Sequence, residues 1–439
     1  MYTGQPHPFQ ALTLSQYMDT VIVGASEVAH LSNGDSANSR IDGQLMLNRD
    51  MYVTEDLAIH IRDGTIVKFS SNDEMKNEWG KPSKKSNEIQ IIDAEGCAII
   101  PGFVDAHTHL LWDGDRSNEM AMKIQGMSYQ DISDQGMGIA STVSSTQDAR
   151  ASKLRQIGIS RLKRARKMGT TTLEAKSGYG LKLETELRML QTASSMEGNG
   201  VTLHHTWLGA HAYPVGVKNN EEKREWDRHL IDEQLPAVIK QGIATSVDVF
   251  CEPGWFSIET TEEICKNAQK NKLDIRLHVD EFIDGGGLNL AADIGAKTAD
   301  HAGFSSDDAR AKASDAGVNT GFLPGTPYVH GDKISTIVND CIENNWKWSL
   351  ATDFNPNCRT LSIPFVGSIA VHRMRIPPIA ALAAVTVNPA STLNVDKGVG
   401  QLVKGGVADL NILRTTSADG WCLMPGDNPV KKSYHHSEL

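Results

Sequence analysis

The sequence predicts an α/β protein: a TIM-type (β/α)8 barrel of parallel strands joined to a small β-sandwich domain formed from both chain ends. Three observations predict it. Between about residues 101 and 390, short apolar runs alternate with helical patterns, as in Thr170-Thr-Thr-Leu-Glu-Ala175 followed by Leu183-Glu-Thr-Glu-Leu-Arg-Met-Leu190, the signature of repeated βα units. Both flanks read instead as short strands with turn signals. Three of the central apolar runs end in His or Asp, and parallel barrels build their active sites at the carboxyl ends of strands.

The elements follow in order. The first 17 residues and the last dozen show no periodicity and are expected to be loose ends. Residues 19–100 carry short strands; in residues 58–67 apolar positions alternate around an Asp-Gly turn, the mark of a hairpin. The basic run Arg161-Leu-Lys-Arg-Ala-Arg-Lys167 is expected to lie on a helix as a solvated face. After a helix at residues 378–385, residues 400–413 return to β-type sequence with Gly-rich turns and are expected to pair with the N-terminal strands. The expected division is 1–100 and 391–439 for the two parts of the small domain and 101–390 for the barrel.

Composition narrows the function. A chain of 439 residues with 40% hydrophobic content buries a large core, and its net charge of -11 argues against nucleic acid, whose binding depends on clustered Lys and Arg. The six cysteines, Cys97, Cys251, Cys265, Cys341, Cys358 and Cys422, form no CxxC pair, so free thiols in a reducing compartment are expected. No basic, apolar leader opens the sequence, and no run reaches about 18 apolar residues. A cytoplasmic protein without a membrane partner is the expectation.

The strongest chemical signal is Ala98-Ile-Ile-Pro-Gly-Phe-Val-Asp-Ala-His107-Thr-His109. Positions i and i+2 of a strand share a side, so both imidazoles can converge on one ion, and neutral imidazole binds zinc or iron well. Residues 272–281 form a second apolar run ending in His278 and Glu281, and residues 348–355 a third ending in Asp353. Three His and one Asp at three strand ends suit one catalytic divalent metal ion that keeps a position open for water. Such an ion acidifies its water and polarises a carbonyl, so hydrolysis of a carbon-nitrogen bond is the expected chemistry. Asp353 would take the water proton and Glu281 pass one to the leaving nitrogen.

Six motifs add to this in fixed order: residues 107–126 with Arg116 after the histidine pair, Lys176-Ser-Gly-Tyr179-Gly-Leu, Leu208-Gly-Ala-His211-Ala, Asp248-Val-Phe-Cys-Glu252, Ala299-Asp-His301, and Ala351-Thr-Asp-Phe-Asn-Pro356. From about residue 50 to 415 the chain resembles the imidazolonepropionase family of the amidohydrolase superfamily. The resemblance implies hydrolytic opening of 4-imidazolone-5-propanoate to N-formimidoyl-L-glutamate in histidine degradation, by a homodimer with one Zn or Fe ion. His107, His109, His278 and Asp353 match the family's metal ligands. Arg116, Tyr179, His211, Glu281 and Asn355 match its substrate and catalytic positions, and His301 a histidine beside the water.

The substrate's carboxylate tail suits the two-pronged Arg116, and His211 would hydrogen-bond the ring carbonyl. Lys176 stays open between a charge partner, a carboxylated bridge of a two-metal site and a structural residue. The sequence departs from the family at Asn357, Cys358, Ala302 and the Thr326 to Gly331 loop. Two rival readings are a metal-dependent deaminase of a nitrogen heterocycle, which Arg116 speaks against, and a non-catalytic scaffold, which would have no use for the full ligand set.

Overall fold

The protein is described here by a computed structural model covering residues 19–32, 39–80, 89–127, 132 and 137–439. The first 17 residues lie outside that range. Eight parallel strands run in sequence order around a barrel: β1 Phe103–Asp105, β2 Thr170–Lys176, β3 Thr202–Ala210, β4 Ser246–Cys251, β5 Asp274–Val279, β6 Thr298–His301, β7 Asn319–Phe322 and β8 Trp348–Leu350. Each pairs with its predecessor. The barrel closes just past β1 and β8, where Thr108 bridges Phe354, His109 N donates to Phe354 O at 2.8 Å and Asp353 N donates to His107 O at 3.1 Å. A side-chain staple reinforces that seam: buried Asp105 accepts from Thr352 N at 3.0 Å and Thr352 Oγ1 at 2.6 Å.

Strand alternation sorts the side chains. On β4 and β5, Val247, Val249, Ile275, Leu277 and Val279 pack outward with Ile264, Cys265 and Ala268 of the helix Ile258–Lys270. The alternate positions, Asp248, Arg276 and His278, face across the barrel to partners on other strands. Apolar residues therefore glue helices to the outside while charged residues fill the interior.

Two sheets form the satellite. One orders Thr65–Ser71, Leu57–Arg62, Asp19–Val23 and Ile89–Asp93; the other orders Val430–Tyr434, Leu410–Leu413, Ile99–Pro101, Glu27–Ala29 and Val53–Glu55. Ile22, Ile59, Ile61, Val28, Ile99 and Ile412 make the core between them. Asp63 and Gly64, with φ of 48° and 72°, make the expected Asp-Gly hairpin turn, which needs left-handed backbone at both positions. From Pro101 the chain enters β1 through Gly102, where a Cβ would lie 2.1 Å from Thr171 Oγ1.

Two expectations fail. The last dozen residues are not loose: Val430 and Tyr434 bury on an edge strand paired with Leu410–Leu413, and Leu439 is buried in the same core. The exposed Lys431 and Lys432 between them hide the pattern. Nor does the whole basic run face solvent. The helix Ala151–Lys167 exposes Lys163, Arg164 and Lys167, but Arg161 is buried, its guanidinium 3.8 Å over the Trp112 ring and donating to the carbonyls of Leu110 and Trp112. Among the described residues no helix is long and apolar enough to cross a membrane.

The chain end is tied down by His436, whose backbone N and Nδ1 both donate to Asp409 Oδ1, at 2.7 and 2.9 Å. That bond raises the imidazole above its ordinary 6.5. Its stabilisation is thus complete below about pH 6.5 and is lost as pH rises through the raised value. His436→Gln is expected to cost about 1 kcal/mol at pH 5.5, allowing for solvent screening, and much less at pH 9. Urea unfolding at both pH values checks this; an equal loss at both would refute it.

Candidate metal centre

The carboxyl ends of β1, β5 and β8 bring the predicted ligands together. His109 Nε2 lies 3.4 Å from His278 Nε2 and 3.7 Å from Asp353 Oδ1, and His107 Nε2 lies 3.6 Å from the same oxygen. Ligand atoms about 2.0–2.2 Å from a tetrahedral ion stand about 3.4 Å apart, so these spacings suit a divalent metal; two compact groups share His107, one with His109 and Asp353 and one with His278 and His301. His107 Nε2 is buried with no hydrogen-bond partner, a costly state unless a ligand takes the lone pair.

Neighbouring acids orient the rings. His107 Nδ1 donates to Asp300 Oδ2 at 2.6 Å and His278 Nδ1 to Asp248 Oδ1 at 3.0 Å. Carboxylate acceptors place the proton on Nδ1 and turn the Nε2 lone pairs toward each other. Asp353 is oriented by Thr326, whose hydroxyl donates to Oδ2 at 2.5 Å. Burial, with the other histidines, Lys176 and His211 around them, pushes His107 and His109 well below the usual histidine value, so both are neutral donors at pH 7.

A cavity of about 280 Å³ opens over these atoms, lined among others by Arg116, Tyr179, His211, Glu281, His301 and Asn355. The substrate and catalytic candidates are therefore gathered at one place. Burial, then the charges of Asp353 and Glu252, push the Glu281 carboxyl well up, which favours its protonated, donating form. His301 stands 3.7 Å from it. His301 and Asp353 carry φ of 68° and 49°, left-handed backbone that L side chains adopt at a cost.

His211 stacks on His109 at 5.0 Å, and Tyr179 sits edge-on to both rings. His211 Nδ1 donates to Gly178 O at 2.9 Å, and burial pushes the ring down to about 4. Neutral His211 thus offers an acceptor at Nε2. Donation to a ring carbonyl, the role expected from sequence, would require a proton that burial disfavours.

Arg116 also differs in detail. Its Nε and Nη2 each lie 2.8 Å from the Glu119 carboxylate, which accepts in turn from Gly138 N, so the cation reaches the cavity already held on one edge. Asn355 spends its side chain on its own loop, donating to Asp353 O and accepting from Asn357 N and Cys358 N. Asn357 lines the cavity, whereas Cys358 is buried beside Thr352 O. The Thr326 loop forms a short helix, Gly325–His330, with His330 at the cavity. Lys176 is fully buried, 2.9 Å from Glu174 and 2.6 Å from Asp248; of the three readings left open for it, the charge partner fits.

Several supporting residues had no role assigned from sequence. Glu186 accepts from Gly178 N, Gly180 N and Leu181 N and shapes the Tyr179 loop. Glu252 accepts from the backbone N of Glu281, Phe282 and Ile283. Asp300, Glu119 and Thr326 belong with them. Asp300 and Glu252 stand inside motifs the sequence displays, but only contact across strands reveals their purpose.

The comparisons show the family. The model of the amidohydrolase family matches residues 142–430. An imidazolonepropionase from Symbiobacterium thermophilum is 36% identical over 91% of each chain, and one from Haloarcula marismortui 38% identical over 91% of this chain and 90% of its own. The chain belongs to the imidazolonepropionase family. Among solved structures, Escherichia coli guanine deaminase superposes with a TM-score of 0.70 at 14% identity over 96% and 98% of the two chains. A mutant atrazine chlorohydrolase from Arthrobacter aurescens, complexed with zinc and atraton, gives 0.63 at 15% over 95% and 94%. At such identities these two share the fold alone. The ligand set fits a divalent metal, as expected of an imidazolonepropionase-family amidohydrolase.

Because burial holds His107 and His109 well below the usual histidine value, protons compete weakly with metal at those two rings. The Zn2+ affinity of the apoprotein is expected to change less than about threefold between pH 8 and pH 6. Competition against a chelator at the two pH values measures it; a tenfold fall would mean that the imidazoles are protonated before metal arrives.

Proposed function

We propose that the chain hydrolyses the ring carbon-nitrogen bond of 4-imidazolone-5-propanoate to give N-formimidoyl-L-glutamate in histidine degradation, with one Zn or Fe ion held by His107, His109, His278 and Asp353. The observation that carries the reading is the pairing, in one cavity, of His109, His278 and Asp353 with a buried Arg116 suited to a carboxylate. A purine or pyrimidine base has no carboxylate to hold. The homodimer rests on the family resemblance, and the cytoplasmic setting on the scattered cysteines and the sequence's apolar patterning.

When bound, the ion polarises the ring carbonyl and makes water acidic enough to attack at neutral pH. Arg116 holds the propanoate tail and fixes the ring's position over the ligands. Tyr179 closes one side, and the acceptor Nε2 of His211 takes a ring N–H, which orients the amide. Asp353 removes the proton of the attacking water. As the ring carbonyl carbon parts from its nitrogen, the protonated Glu281 delivers its proton to that nitrogen, and the carbonyl becomes the new carboxylate. Asn355 keeps the Asp353 loop in shape, and His301 stands 3.7 Å from Glu281 at the cavity wall.

Loss of substrate absorbance with purified protein tests the reading. Asp353→Ala is expected to lose turnover by at least about 10³-fold together with metal, and chelation of wild type to abolish activity that added Zn2+ or Fe2+ restores. Metal retention without turnover of this substrate would refute it. Glu281→Gln is expected to lower kcat by about 10²- to 10⁴-fold with KM little changed; an unaltered kcat would remove Glu281 from the mechanism. Arg116→Lys is expected to raise KM by about tenfold or more for the acid but not for its tail amide, and equal effects on both would place Arg116 elsewhere.

A further inference from the structure

We propose that Glu174 and Lys176 form a positioning pair that sets how tightly the centre holds its metal, acting through the two carboxylates that orient His107 and His278. The inference rests on the metal centre of the reading above and not on its substrate.

The observation is a chain of buried charged groups beneath the site, hydrogen-bonded from His278 to Glu174 and from Asp300 to His107 and joined between them only by the ion-pair distances of Arg276, whose Nε makes no hydrogen bond. His278 Nδ1 meets Asp248 at 3.0 Å; Asp248 meets Lys176 Nζ at 2.6 Å; Lys176 meets Glu174 at 2.9 Å. Glu174 then meets Arg276 Nε at 2.8 Å, Arg276 Nη2 lies 4.0 Å from Asp300, and Asp300 meets His107 Nδ1 at 2.6 Å. The chain begins and ends on a metal-ligand candidate, and every member is buried. It draws on β2, β4, β5 and β6 and on the segment after β1. Arg276 also donates to Ala106 O at 2.7 Å, directly before His107, and Thr206 Oγ1 donates to Glu174 at 2.6 Å.

Neither Glu174 nor Lys176 lines the cavity, so neither touches substrate. A buried ammonium and its partners are costly to desolvate and often replaceable by apolar residues without loss of stability. Their geometry, however, is stiff. Lys176 ties Asp248 to one side of Glu174, Arg276 reaches Asp300 from the other, and the two imidazoles receive fixed acceptors. Acceptors of this kind set the tautomer, direction and basicity of a ligating ring. Removing Lys176 leaves Asp248 and Glu174 as neighbouring buried anions free to turn from His278.

The test uses the whole protein with Zn2+ and Co2+ as probes. Lys176→Met is expected to weaken Zn2+ binding about 10- to 100-fold by chelator competition and to shift the visible bands of the Co2+ protein. Ile264→Ala, which opens a cavity on the outer face of the barrel, lowers thermal stability but leaves affinity and spectrum unchanged. Adding Lys176→Met to Asp248→Asn is expected to weaken binding little beyond Asp248→Asn alone, since the lysine acts through that carboxylate. If Lys176→Met does not fold, Glu174→Gln/Lys176→Met, which removes the repelling charges together, carries the same expectation. Wild-type affinity and an unshifted Co2+ spectrum in the folded variant, or fully additive losses with Asp248→Asn, would overturn the proposal. Failure to turn over 4-imidazolone-5-propanoate would leave these readouts untouched.

Discussion

The seam where the barrel closes is the constraint on which the site depends. β1 and β8 are three-residue strands, too short to hold each other by ladder alone, and the residues just beyond them complete the pairing through Thr108 and Phe354. The same few residues carry His107, His109 and Asp353. Ligands far apart in sequence come within 4 Å because the sheet closes there. The Asp105 staple to Thr352 makes that closure a side-chain interaction as well as a backbone one. Burial pushes the Asp105 carboxyl up to about 7 in spite of those hydrogen bonds.

Above the seam, one device recurs: a loop folds around a carboxylate supplied from a neighbouring segment. Glu186 gathers the backbone around Tyr179, and Glu252 gathers the backbone around Glu281. Asp280 takes N–H groups from Gly285, Gly287 and Leu288 and the hydroxyl of Ser305. Buried backbone donors need acceptors, and here the acceptors also fix the loops that carry substrate-facing side chains. Glu119 does the same for a side chain, fixing Arg116 while accepting from Gly138.

Much of the architecture could be read from the sequence, because apolar runs ending in His107, His278 and Asp353 mark strand ends directly. The supporting charges were harder to see. Glu174, Asp248, Arg276 and Asp300 interrupt apolar strands, and in isolation each looks like a break in the pattern; they make sense only as partners across the barrel interior. His211 was placed at the site by its motif, but its donor role depended on a tautomer that Gly178 O decides. The burial of Arg161 is invisible in a helical charge pattern, which cannot show that Trp112 lies opposite it. The final strand was hidden by the two exposed lysines between its buried ends.

The satellite has a consequence for how the molecule is made. Its two sheets take strands from both sides of the barrel in sequence, with Ile99–Pro101 lying between Glu27–Ala29 and Leu410–Leu413. On the ribosome the early strands emerge long before the partner that covers them. Until β8 and the segments after it have been synthesised, Ile99 and Ile100 present an unpaired apolar edge. Nascent chains of this fold are therefore most in need of protection late in translation, when the barrel is nearly formed and the small domain still lacks its closing strands.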